Sequence, residues 1–116
     1  MNLSKKIFAY IKITRLLNVL ITFLVVLVAI LISQNERTDL CTILLASIAA
    51  SLVAAAGNIV NDIYDVESDK ISHPERALVL GILNKTEVKL EYIILNFISA
   101  IISINLSQTL FAIVSI

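Results

Sequence analysis

Residues 58–69 read Asn-Ile-Val-Asn-Asp-Ile-Tyr-Asp-Val-Glu-Ser-Asp and crowd amide and carboxylate oxygens together. Asn58, Asp62, Asp65 and Asp69 follow an i, i+4, i+7, i+11 spacing, and Asn61, Asp65 and Asp69 follow i, i+4, i+8. If one helix runs on to about Asp69, these oxygens converge on one face. Asp62, Asp65, Glu67 and Asp69 repel one another; at roughly 6 Å and an effective dielectric of about 20, each pair costs on the order of 3 kcal/mol. Carboxylates at a helix C-terminus also oppose the macrodipole. No basic residue lies within the run and Lys70 directly follows it, so a hard divalent cation with oxygen ligands is the natural counter-charge. An EF-hand is excluded: in a loop starting at Asp65, Lys70 stands where Gly is required and Arg76 where the bidentate Glu belongs.

Basic residues flank the acidic run. Arg15 and Asn18 lie three apart at the start of an apolar segment, where an amide needs a partner. Lys70 and Arg76 are placed to meet phosphate groups held by a metal. His73, before Pro74, reads as an ordinary loop residue, and Pro74 and Gly81 bound a loop. A further helix starts with Asn84 or Thr86 as cap. Asn96, Ser99, Ser103 and Ser107 form a polar stripe suited to helix packing, and the lone Cys41 allows no intrachain disulfide.

The elements that position these residues are apolar. Of 116 residues 59% are hydrophobic and 16% charged, with zero formal net charge. So small a soluble domain cannot hide that much apolar surface, and the zero net charge gives no reason to expect a nucleic-acid partner. The chain reads as an all-α, multi-pass integral membrane protein surrounded by lipid. Its spans are expected at about 16–33, 40–60 and 92–116, each near the ~20 residues that cross a hydrocarbon core. Each span must be helical to satisfy its backbone. A cleaved signal peptide is disfavoured because the first apolar run is too long and Ser33-Gln34-Asn35-Glu36 reads as a turn. Ala46, Ala50, Ala54, Asn58 and Asp62 recur every four residues, a stripe small enough for close helix approach.

Lys5, Lys6, Lys12 and Arg15 precede the first span, Arg37 alone sits between the first two, and Lys70, Arg76, Lys85 and Lys89 follow the second. The positive-inside rule then puts the N-terminus and the Asp-rich segment, 58–89, in the cytoplasm and the loop Ser33 to Asp39 outside. The third apolar run carries to Ile116 with no polar tail. The expectation is the first part of a larger membrane protein, either a truncated product or a piece of a longer reading frame.

Gly57 to Lys70 resembles the first aspartate-rich motif, NDxxDxxxD, of the UbiA superfamily of intramembrane prenyltransferases: Asn61-Asp62, Asp65 and Asp69 fit it. Arg15-Leu-Leu-Asn18 resembles the superfamily's Arg-x-x-Asn, and Arg76 and Gly81 match the Arg and Gly of its Asn-Arg-Pro-x-Pro-Ser-Gly segment. The resemblance covers nearly the whole chain, 1–116, as the N-terminal portion of one domain. It implies a nine-helix bundle, of which three spans are here. It further implies Mg²⁺ held by two aspartate-rich motifs, and a prenyl diphosphate bound through that Mg²⁺. By resemblance Asp62, Asp65 and Asp69 are the catalytic carboxylates and, with Asn61, the Mg²⁺ ligands. Arg15, Asn18, Asn58, Lys70 and Arg76 would hold the diphosphate or the acceptor. The run from Gly57 through Ile71 looks like the archaeal-type lipid branch, whose members transfer a geranylgeranyl group to geranylgeranylglyceryl phosphate.

Two departures stand out. Ala77 and Val79 replace the superfamily's Pro residues and Leu80 its Ser, which implies a less rigid loop; and no Asp follows Asp69, so the second motif is missing. The missing helices are expected from the same or another chain. The competing readings are prenylation of a quinone precursor such as a hydroxybenzoate, and a non-catalytic truncated membrane fragment. A divalent-cation transporter is disfavoured because its acidic residues would lie inside the membrane, and a soluble prenyl diphosphate synthase is excluded by the spans.

Overall fold

The computed structural model describes residues 2–33 and 38–114, with side chains to 108. The expected turn at Gln34 to Glu36, Arg37 and the terminal Ile116 lie outside the described residues. Six helices follow one another: α1 (Leu3–Ile13), α2 (Leu16–Ser33), α3 (Leu40–Tyr64), α4 (Val66–Ser72), α5 (Ala77–Leu80) and α6 (Lys85–Val114). Among the described residues there is no strand. Three helices, α2, α3 and α6 as far as Gln108, are long and apolar enough to cross a membrane. The all-α membrane bundle read from composition is therefore the fold, in a body 55 Å long.

Each boundary has a local cause. Asn2 caps α1, its side chain accepting from Ser4 N at 3.2 Å, and Asp39 caps α3 by accepting from Thr42 N at 3.0 Å. Asn84 and Glu87 cap α6 reciprocally: Glu87 N donates to Asn84 Oδ1 at 2.8 Å, and Asn84 N donates to Glu87 Oε2 at 3.1 Å. Such a box satisfies two of the amides that a helix start leaves unpaired. Of the two expected caps, Asn84 is the one used. Gly81 ends α5 at φ +73°, a left-handed conformation that glycine adopts without penalty.

The three long helices are not equivalent. In α3, 39% of the apolar window is buried, against none in α2 and 6% in α6. So α3 is the central post, packed against both neighbours. Its buried residues fall on two stripes: Ile43, Ser47, Ser51, Ala55, Ile59 and Asp62, and Thr42, Ala49 and Ala56. The small-residue stripe expected at Ala46, Ala50, Ala54 and Asn58 lies beside the first of these and is only half-buried. The difference arises because α3 packs on two sides, so the half-buried row falls between its contacts. Small residues dominate the buried rows, as helix contact in lipid requires. The buried serines satisfy themselves, Ser47 Oγ donating to Ile43 O and Ser51 Oγ to Ser47 O. Ser99 of α6 donates across to Ala49 O at 2.9 Å. Of the expected polar stripe in α6, Ser99 is buried while Ser103 and Ser107 are exposed.

Three features differ from the sequence expectations. First, α3 does not run on to Asp69. It ends at Tyr64, and Asp65 (φ −92°, ψ 5°) makes a joint before α4. The i→i−4 bonds nevertheless persist, Asp65 N to Asn61 O at 2.9 Å and Asp69 N to Asp65 O at 2.7 Å. Second, the segment between Pro74 and Gly81 holds a helical turn, α5, rather than loop alone. Third, α1 lies ahead of the first span, crossing the ends of the bundle. Its Ala9 and Ile13 are buried with Ile59, Leu83 and Val88, and Lys6 pairs with Glu87.

The close α3–α6 contact yields a test. Replacing Ala49, 6% exposed, by Leu overpacks the seam and should cost about 1–3 kcal/mol. Ser99→Ala should cost about 0.6 kcal/mol, the usual worth of an interhelical hydrogen bond in a bundle. Denaturant unfolding in mixed micelles checks both, and equal losses would contradict the packing described.

Candidate functional site

The site begins with a backbone joint. Between α1 and α2 the chain turns at Thr14–Arg15, and Arg15 sits at φ +54°, a left-handed conformation that costs a non-glycine residue on the order of 1 kcal/mol. Two residues one turn apart on α3 hold this joint. Asn58 Nδ2 donates to Thr14 O at 2.7 Å, and Arg15 Nη2 donates to Asp62 Oδ1 at 2.7 Å.

A second arginine closes on the same carboxylate. Arg76, immediately ahead of α5, donates from Nη1 to Asp62 Oδ1 at 3.3 Å and to Asp69 Oδ2 at 2.7 Å. Asp62 and Asp69 are buried, 6% and 4% exposed. Asp69 reaches the cluster because α4, after its joint at Asp65, still presents the residue seven beyond Asp62. Burial works against the Arg76 charge, but the Asp69 hydrogen bond and the Asp62 and Asp69 carboxylates outweigh it and hold its pKa above the ordinary value. Each guanidinium spends one nitrogen on these carboxylates and keeps its remaining N–H donors.

Both arginines line a cavity of about 270 Å³ with Lys12, Ile13, Asp62, His73, Glu75 and Ala77. His73 Nδ1 lies 3.3 Å from Glu75 Oε1. Glu75 is held below the usual carboxylate range by hydrogen bonding at its own backbone, with the His73 contact adding to it. Fixed guanidinium donors around a cavity of this size suit a phosphate or diphosphate.

The remaining candidates lie elsewhere. Asn61 and Asp65 are exposed, one turn apart, with no side-chain partner among the described residues. Lys70 turns away, its Nζ 2.9 Å from Glu67 Oε1 on the exposed side of α4. Asn18 is exposed on α2, its carbonyl accepting from Thr22 Oγ1 at 2.9 Å. Asn58 is committed to the Thr14 carbonyl. The acidic run is thus divided between two faces: Asp62 and Asp69 are neutralised by arginines, and Asn61 with Asp65 stays open. Among the described residues, no group of three His, Cys, Asp or Glu side chains is gathered to enclose a metal ion. The open pair still fits Mg²⁺, which commonly takes one or two carboxylates and completes its shell with waters and substrate phosphates.

Three lining residues are not singled out by the sequence as site members: Lys12, His73 and Glu75. The signal for Lys12 is its place three residues before Arg15. Nothing in the sequence distinguishes His73 or Glu75 from ordinary loop residues.

Residues 20–116 match the family model described as the UbiA prenyltransferase family. The chain is 34% identical over 99 residues to a digeranylgeranylglyceryl phosphate synthase of Saccharolobus solfataricus, covering 85% of this chain and 35% of that protein. It is 31% identical over 100 residues to the protein of the same name from Methanocaldococcus jannaschii, covering 86% and 35%. With that of Thermococcus kodakarensis it shares 34% identity over 110 residues, covering 92% and 39%. The chain therefore spans about a third of the length of these relatives. No solved structure matches it.

Removing the bridging arginine tests the cluster. Arg76→Ala leaves Asp69 without its partner and Asp62 with one, and should cost about 3 kcal/mol. Arg76→Lys should restore only part, because the lysine stem is flexible and its ammonium is a strongly hydrated point charge without the fixed donor geometry of a guanidinium. Unfolding in micelles reads both, and an Arg76→Ala chain as stable as the parent would contradict the bridge.

Proposed function

The chain belongs to the UbiA prenyltransferase family, and we propose that the full-length protein it represents transfers a prenyl group within the membrane from a prenyl diphosphate to a lipid acceptor, with Mg²⁺. The observation that carries this reading is the arginine pair on buried carboxylates beside a polar cavity, with Asn61 and Asp65 open alongside. Geranylgeranylglyceryl phosphate is the acceptor proposed, supported by the names of the relatives matched.

In this reading Arg15 and Arg76 offer their remaining N–H donors to the diphosphate and oppose the charge that grows as it departs. Asp62 and Asp69 hold the guanidiniums in place. Asn58 fixes the joint that aims Arg15, a positioning role rather than substrate contact. Asn61 and Asp65 are the proposed protein ligands of Mg²⁺, with Asp62 and Asp69 behind them. When bound, the ion supplies Lewis-acid neutralisation of the leaving diphosphate. Lys70 and Asn18 stand apart from the cavity and are proposed to meet substrate only from their own exposed positions. The apolar spans around the site keep water from an allylic cation.

The lysine and arginine distribution supports a cytoplasmic N-terminus and Asp-rich segment. The helices that complete a nine-helix bundle and its second acidic motif are proposed to come from the rest of the longer protein.

Asp65→Ala in the full-length protein, reconstituted with prenyl diphosphate, geranylgeranylglyceryl phosphate and Mg²⁺, should lower transfer on the order of 10²-fold. Because Asp65 is exposed and its side chain unpartnered among the described residues, unfolding should be little changed. Unchanged transfer would remove Asp65 from the site.

A further inference from the structure

The first helix has two apolar faces, and only one of them is used within the bundle. Ala9 and Ile13 are buried against Ile59, Leu83 and Val88. On the opposite side Leu3, Ile7, Phe8 and Ile11 recur at i, i+4, i+5 and i+8 and are exposed, Phe8 by 65%. Lys5 and Lys12 flank that outer face, seven residues apart and so on one edge. Both are exposed, and neither has an acidic partner among the described residues. Beside them an open groove of about 330 Å³ runs between α1 and α5, lined by Lys5, Phe8, Lys12, Leu80 and Ile82 among others, with Glu75 also on its wall.

We propose that the outer face of α1 lies in the headgroup–acyl boundary of the leaflet on the side of the Asp-rich segment, and that Lys5 and Lys12 bind the phosphate of an anionic lipid whose chains cover Phe8, Leu80 and Ile82. Three observations favour lipid over another protein surface. The outer face, Leu3, Ile7, Phe8 and Ile11, is uniformly large and apolar, the composition of a helix face laid into the acyl boundary. Its lysines sit where ammonium groups can reach headgroups while their stems cover apolar surface. The inner face meets the ends of α3 and α6, which sets α1 at the depth where a spanning helix leaves the hydrocarbon. Lys12 also lines the arginine cavity, so the lipid phosphate held here lies at that cavity's mouth. The proposal concerns the helix surface and does not depend on the transfer reaction.

The chain contains no tryptophan, so Phe8→Trp places a single reporter on an exposed position. With the 116-residue chain in phosphatidylcholine vesicles holding a fixed fraction of phosphatidylglycerol, the indole emission of the Phe8→Trp variant should be blue-shifted. It should be quenched more by lipid brominated near the top of the acyl chain than by lipid brominated near its end. Brominated phosphatidylglycerol should quench more than brominated phosphatidylcholine, and Lys5→Gln with Lys12→Gln should reduce that preference about fivefold per lysine. Emission at the water value would overturn the proposal. So would blue-shifted emission that bromolipid does not quench, since protein would then cover the face. A preference for anionic lipid that survives both lysine changes would overturn the assignment of the phosphate contacts.

Discussion

Asp62 accepts from two arginines that reach it from either side in sequence, and the placement of everything around the cavity follows from that carboxylate. Arg15 comes from the joint between α1 and α2 and Arg76 from the entry to α5. Taking a carboxylate out of water is costly unless its lone pairs are met and its charge opposed. A lone arginine at one edge would leave Asp62 with a single partner. The second, shared with Asp69, ties α4 and α5 back onto α3. A turn away, Asn58 clamps the Thr14 carbonyl, so the strained φ at Arg15 is held from both sides.

This arrangement resolves the repulsion within the acidic run without gathering all of it in one place. At i and i+7, Asp62 and Asp69 share one buried face of the α3–α4 rod and are neutralised there by Arg76. At i and i+4, Asn61 and Asp65 share an exposed face. For the Mg²⁺ and diphosphate proposed above, that division would be an advantage. The inner carboxylates hold guanidiniums that would otherwise be long and mobile, and the outer oxygens stay available. Positive charge is therefore organised before any ligand arrives, which is where electrostatic stabilisation of a leaving group is most effective.

Much of this is legible in the sequence because membrane spans and acidic motifs impose themselves locally. Three apolar runs become three long helices, and Asn84 is one of the two caps that the sequence offers for α6; the pairing of Arg15 with Asp62 is not legible, since the sequence presents Arg15 as a ligand for anions and Asp62 as a ligand for a metal. What cannot be read is which oxygen of the run meets which cation. Helical spacing alone places Asn58, Asn61, Asp62, Asp65 and Asp69 within reach of one another, and the joint at Asp65 together with the arginine positions decides the division. Proximity in sequence points Lys70 towards phosphate, yet Glu67 three residues earlier gives it a closer partner. The short α1 is hidden because its lysines read as an orientation signal, although its two-faced apolar pattern is present in Leu3, Ile7, Phe8 and Ile11 against Ala9 and Ile13. The helical turn at Ala77–Leu80 is hidden because Gly81, which reads as the bound of a loop, is also the left-handed stop of a short helix.

Arg15 and Asp62 act as one unit across the joint. The most direct measurement is a double-mutant cycle with Arg15→Ala, Asp62→Ala and the pair, read by unfolding in micelles. A coupling energy of about 1–3 kcal/mol is predicted, with the double variant losing less than the sum of the two single changes. Losses that simply add would show that the two side chains do not depend on each other, and would contradict the keystone role given to Asp62.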